Sequence, residues 1–203
     1  TFFQVEYPKL SKYTAQGGVI DFISMDDPIR RFLYPIVDDS TVVNTNWSLA
    51  FGNGEIVKVM QYYKEYFAGV KIIYLTNFPN WGWEDGPAYT KFAYNNFDPQ
   101  GRGDFKAAFT DLFRQATETG VEFFGLCADN PYNYYTFTQP SNQSNLTSLV
   151  DWPERVRTLE RFAEDRGMNF ILIANTGDAT TGEEFQNGVV NYVTDYKAGG
   201  GTP

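Results

Sequence analysis

The 203-residue chain contains no histidine and one cysteine. Without histidine there is no imidazole base near neutral pH, which excludes Ser-His-Asp and Cys-His catalysis. With Cys127 alone, neither an internal disulfide nor a cysteine-based zinc site can form. Cys127 lies inside the apolar run "VEFFGLCAD" and reads as a small core residue. No apolar run approaches the ~18 residues of a membrane span, so no membrane partner is expected. Positive charge is scarce as well. Sixteen Lys and Arg against 25 Asp and Glu give a net charge of -9. That balance, with no basic cluster, repels phosphate backbones and argues against a nucleic-acid partner.

Apolar and aromatic residues are plentiful, 42% and 18%, enough to bury a sizeable core in one domain spanning 1–203. Four short, nearly continuous apolar runs stand out: "GVIDFISMD" (18–26), "VKIIYLTN" (70–77), "VEFFGLCAD" (121–129) and "MNFILIAN" (168–175). Such runs read as strands buried on both faces, as in parallel sheets. Helical spacing precedes the last three, over 55–67, 104–118 and 153–166, and recurs over 182–197. Asp104 is expected to cap the second of these, Pro153 to open the third, and Thr181 and Glu184 to form a capping box on the last. The N-terminal "TFFQVEYPKL" is expected to supply a fragment of one more strand.

Connections from helix to strand are short and marked by glycine, whereas most connections from strand to helix are long. In βα-repeating folds the loops leaving the carboxyl ends of the strands carry ligands. Four consecutive βα units fit either half of a (β/α)₈ barrel or a small doubly wound sheet. No G-x-G-x-x-G or G-x-x-x-x-G-K follows a strand, so nucleotide binding lacks its fingerprint and no cofactor is expected. The turn "ANTGDATTGEEF" (174–185) could face a phosphate from a helix N-terminus, but Asp178 and two glutamates oppose an anion.

The strand ends carry the candidate chemistry. They finish in Asp26-Asp27, Asn77, Asp129-Asn130 and Asn175. Strands two apart lie ~10 Å from one another, so Asp26 or Asp27 can approach Asp129 within the ~5–9 Å used by the paired carboxylates of glycoside hydrolysis. Such chemistry needs one protonated and one ionised carboxyl, and no histidine. Asp26, Asp27 and Asp129 are therefore the candidate catalytic groups. The competing reading is turn chemistry, because Asp and Asn favour the turns that follow strands. No D-x-D-x-D-G loop is present, and no metal site is expected. Trp47, Trp81, Trp83 and Tyr132 offer flat faces to sugar rings, and Asn77, Asn130 and Asn175 offer amides to hydroxyls. The alternative for the aromatics is loop packing. Three N-x-S/T sequons, at Asn46, Asn142 and Asn145, mark candidate glycosylation sites and point to secretion.

The series "VIDFISMDDP", "VKIIYLTNFPNWGW", "VEFFGLCADNPYN", "MNFILIANT" resembles consecutive strands of a TIM-barrel family related to glycoside hydrolases. That family's strands typically end in Met-Asp-Glu-Pro, in an acidic residue plus Pro, in Asp and in Asn. The resemblance implies a barrel segment within a larger domain, carbohydrate as substrate class and strand-end carboxylates as the site. Asp27 stands where the family has Glu, and Asn77 where an acid is expected. A non-catalytic structural or carbohydrate-binding protein is the rival reading, and a further chain segment or self-association would complete the barrel.

Overall fold

The computed structural model describes residues 2–33, 36–38, 41–43, 47–88, 103–136 and 150–202. A four-stranded, all-parallel sheet forms from β1 (Phe22–Asp26), β4 (Lys71–Asn77), β5 (Phe123–Asp129) and β6 (Asn169–Ile173). The spatial order is the sequence order, β1-β4-β5-β6, and among the described residues β1 and β6 are the edges. An antiparallel pair, β2 (Ile36–Asp38) with β3 (Thr41–Val43), forms a separate two-stranded sheet. The alternating helices are α1 (Tyr7–Ala15), α2 (Pro28–Leu33), α3 (Leu49–Tyr66), α4 (Phe105–Glu118), α5 (Tyr132–Tyr135), α6 (Trp152–Glu164) and α7 (Gly182–Ala198).

The caps follow their sequence signals. Asp104 accepts from the Ala107 amide at the start of α4, and Thr181 and Glu184 form both halves of a capping box on α7. Asp151 caps α6 ahead of Pro153. Gly69, Gly120 and Gly167 adopt positive φ where helices turn into β4, β5 and β6, a conformation glycine reaches without steric cost.

Two stretches differ from the sequence reading. The N-terminal segment is no strand: Phe2–Glu6 forms a π-helical turn that runs into α1. The reason is an aromatic seam, in which the Phe2 ring meets Tyr62 at 5.4 Å and Tyr63 at 5.0 Å on α3. Helix α3 also starts at Leu49, six residues before the expected 55, with the Ser48 hydroxyl accepting from the Phe51 amide. Gly52 and Gly54 obscured that first turn, since glycine weakens helices. Gly52 is there because the Phe32 ring packs against it: an added Cβ would lie 2.3 Å from that ring.

Side chains alternate across the sheet. One face carries Ile72, Tyr74, Phe123, Leu126 and Ala128 into a single core cluster with α3, α4, α6 and α7. Tyr74 meets Phe109 of α4 at 5.0 Å, and Phe170 of β6 meets Tyr196 of α7 at 6.4 Å. The opposite face carries Phe22, Ser24 and Asp26 beside Lys71, Ile73, Leu75 and Asn77, then Cys127 and Asp129, then Ile171 and Ile173. Ile73, Leu75, Ile171 and Ile173 are half-buried and stand outside the core cluster. The fold is thus α/β, with its helices gathered on one side of an open, sequentially ordered parallel sheet. These four strands contain no reversal of strand order, the feature at which doubly wound folds bind ligands.

Candidate functional site

Asp26 and Asp27 end β1 as neighbours, and the period of two sends them to opposite faces. Asp26 is exposed and shares its face with Asn77 and Asp129. Asp27 is 2% exposed on the helix side. Its Oδ1 accepts from Trp81 Nε1 at 3.3 Å and from the Tyr74 hydroxyl at 3.4 Å. Its amide donates to the Leu75 carbonyl at 2.7 Å, and its own carbonyl accepts from the Arg30 amide. Asp27 has φ 45°, the left-handed region that non-glycine residues rarely enter. The second carboxylate of "SMDDP" therefore ties the end of β1 to Tyr74 and to Trp81.

Asp129 closes β5. Register places Asn77 of β4 directly beside it, and the Asn175 side-chain amide donates to its Oδ1 at 3.2 Å. Two carboxamides thus flank one carboxylate on the open face, at the carboxyl end of the sheet. Asn175 is fixed in turn by its carbonyl, which accepts from the Tyr132 amide at 2.8 Å, while its own Oδ1 is buried without a partner. The Asn77 Oδ1 accepts from Asn80 at 2.7 Å.

The negative charge of Asp129 is felt around it. The Tyr134 hydroxyl is pushed above its usual range by burial and then by Asp129. The Cys127 thiol, one layer below on the same face, is raised to about 11 by the same two causes in the same order. Tyr134 belongs with this group: together with Tyr132 and Tyr135 it forms the aromatic run "PYNYY" after β5, whose sequence already offers rings to a sugar.

Asp26 pairs with Leu75, and Leu75 with Cys127, so Asp129 lies two strands across and two residues along. Ideal spacings put the two Cα atoms ~12 Å apart.

The remaining candidates fall in three groups. Trp81 is fully buried against Phe105 at 5.5 Å, and Trp83 is 7% exposed, edge-on to Phe162 at 5.3 Å. Both rings are occupied by the core and present no face to solvent. Asn130 is fully buried too, its amide 3.4 Å from the Tyr192 hydroxyl and its Oδ1 unpartnered. Trp47 is 42% exposed and rests edge-on against Phe51 at 5.0 Å. Tyr132 is half-buried, and its hydroxyl donates to Asp195 at 2.5 Å. Burial, and then that bond, raise the Tyr132 hydroxyl to about 12. Asn46, Asn142 and Asn145 lie outside the described residues. Among the described residues no cluster of three acidic or sulfur ligands could hold a metal, and no helix is long and apolar enough to cross a membrane.

No family model, no curated protein and no solved structure matches this chain. What the fold and the strand ends define is a class: an α/β protein whose polar strand termini gather at the carboxyl edge of an open parallel sheet.

Proposed function

We propose that the chain is a secreted, glycoside-hydrolase-like unit that acts on a polysaccharide through Asp26 and Asp129. The observation that carries this reading is Asp129, beside Asn77 in register and bonded by Asn175, on the same open sheet face as Asp26. The Asn175 amide keeps one Asp129 oxygen engaged and oriented, leaving the carboxylate to act on a water or on a leaving oxygen. The separation inferred from register favours an inverting reaction, in which the carboxyls stand ~6.5–9.5 Å apart, one as acid and the other activating a water. Asn77, Asn175 and Tyr134 contact the substrate hydroxyls. Asp27 takes no part, because it is buried on the helix side of the sheet, where its Oδ1 accepts from Trp81 and Tyr74.

The fold expected of such a unit is part of a (β/α)₈ barrel. Sequential order, helices on one side, a sheet that ends at β1 and β6 among the described residues and a half-buried apolar second face support it. Further βα units, from the same polypeptide or from a second copy, complete the ring. A second reading is a binding protein that keeps this fold without the chemistry, and Asn77 in the position where an acid is expected favours it. The test is hydrolysis of a glycan panel by wild type and Asp129→Asn. Cleavage lost in the variant supports the enzyme, and binding without cleavage by either supports the rival.

A further inference from the structure

Outside the sheet mouth, a groove of about 600 Å³ runs between α5 and the first half of α7. Helix α7 turns Glu184, Asn187, Gly188 and Asn191 toward it. These positions follow the i, i+3, i+4, i+7 rule that normally marks an apolar stripe facing a core. Here the stripe is polar and faces a concavity. Gly188 forms the floor because Thr176 packs against it: a Cβ there would sit 2.5 Å from the Thr176 methyl. The Tyr132 ring forms part of the opposite wall, its hydroxyl already given to Asp195.

The hydrogen-bonding inventory of this groove is uneven. Asp178 accepts from the Thr176 hydroxyl at 2.6 Å. Glu184 accepts from the Thr180 amide and hydroxyl and from the Thr181 amide, which hold its carboxyl below the usual carboxylate range. Both carboxylates are thus committed within the protein, and their charge still opposes an anion. Asn187 and Asn191 are exposed, one turn apart, and no described residue bonds to their side chains. Each offers two donors and one acceptor oxygen, the pattern that pairs with neighbouring hydroxyls that both give and receive. A tyrosine ring beside two free amides, with fixed negative charge and no cation in the lining, suits an uncharged polyol.

The geometry points to a subsite for a neutral saccharide in this groove, bound by the Asn187 and Asn191 amides against the Tyr132 ring. It rests on the proposed carbohydrate reading and extends it to a site that takes no part in bond cleavage. Titration of neutral xylo-, cello- and chito-hexasaccharides, with oligogalacturonate as the anionic comparison, tests it by calorimetry and side-chain amide NMR. Wild type and Asp129→Asn should both bind a neutral oligosaccharide. The Asn187→Ala, Asn191→Ala double variant should weaken that binding by at least about tenfold. Both positions are exposed on a helix, where alanine is well tolerated, so the variant keeps its fold. No binding of any neutral probe, equal affinity in the double variant, or preference for oligogalacturonate would overturn the subsite. Cleavage by wild type with equal affinity in the double variant would overturn the groove and leave the Asp26 and Asp129 chemistry standing. Amide-dependent binding without any cleavage would do the reverse.

Discussion

Replacing Asp27 separates the two adjacent carboxylates most sharply. Asp27→Ala removes the acceptor of two buried donors, Trp81 Nε1 at 3.3 Å and the Tyr74 hydroxyl at 3.4 Å. A buried donor left unsatisfied costs about 1–3 kcal/mol. Both bonds are long, so about 1–1.5 kcal/mol applies to each, about 2–3 kcal/mol together. Alanine at φ 45° adds about 1 kcal/mol, because it lacks the local side-chain bonding that lets Asp tolerate the left-handed region. The total is about 3–4 kcal/mol, or roughly 6–16 °C in Tm at the ~2–4 °C per kcal/mol expected for a chain of this size. Asp27→Asn keeps an acceptor oxygen and should cost only about 1 kcal/mol. Urea unfolding followed by tryptophan fluorescence reports both, since Trp81 is one of the partners. An Asp27→Ala protein within about 0.5 kcal/mol of wild type would refute the structural role. So would loss of glycan cleavage in a folded Asp27→Asn protein, which would return Asp27 to the chemistry.

Three further outcomes are expected. Glu160 is 4% exposed, and its carboxylate accepts from the Tyr196 hydroxyl, the Thr202 amide and the Thr202 hydroxyl; Glu160→Ala should cost at least about 3 kcal/mol by chemical denaturation, with Glu160→Gln recovering part of it. Thermal melts should hold up to about pH 9 and fall progressively toward pH 12. Cys127 and Tyr132 have pKa values raised by burial to about 11 and about 12, so the unfolded chain ionises first and stability drains away as pH rises through those values. A flat Tm over that range would contradict their burial. If a eukaryotic host secretes the chain, intact mass should exceed that of the bare polypeptide through glycans at Asn142 or Asn145, with Asn46 less often occupied. A bare mass would remove the argument for secretion.

The sheet was legible because its signals were local. Each strand was a short apolar run, and the glycines before β4, β5 and β6 announced positive φ. Four consecutive βα repeats left little freedom in strand order. The caps at Asp104 and Thr181 were equally local. The N-terminal helix was not legible, because Phe2, Phe3 and Tyr7 take their places from Tyr62, Tyr63 and Tyr66, some 60 residues away. The tryptophans illustrate the same limit. Nothing in "NWGW" distinguishes rings that line a cleft from rings wedged against Phe105 and Phe162. Strand-end polarity named Asp129, Asn77 and Asn175 together, and pairing register then put them side by side. Alternation also divides Asp26 from Asp27, but which of the two faces the core depends on where the helices lie. The turn at one end of the groove on α7 was visible in "ANTGDATTGEEF", but Asn187 and Asn191 read in sequence as an ordinary solvated helix face.

The most direct test of the central claim is glycan cleavage by wild type, Asp26→Asn and Asp129→Asn, each checked for fold by circular dichroism. The stereochemistry of the released anomer is followed by NMR. The account predicts hydrolysis by wild type with inversion at the anomeric carbon. It also predicts a loss of at least about 100-fold in each variant with the fold unchanged, the scale of a missing general acid or base. Full activity in Asp129→Asn, or cleavage with retention, would contradict it.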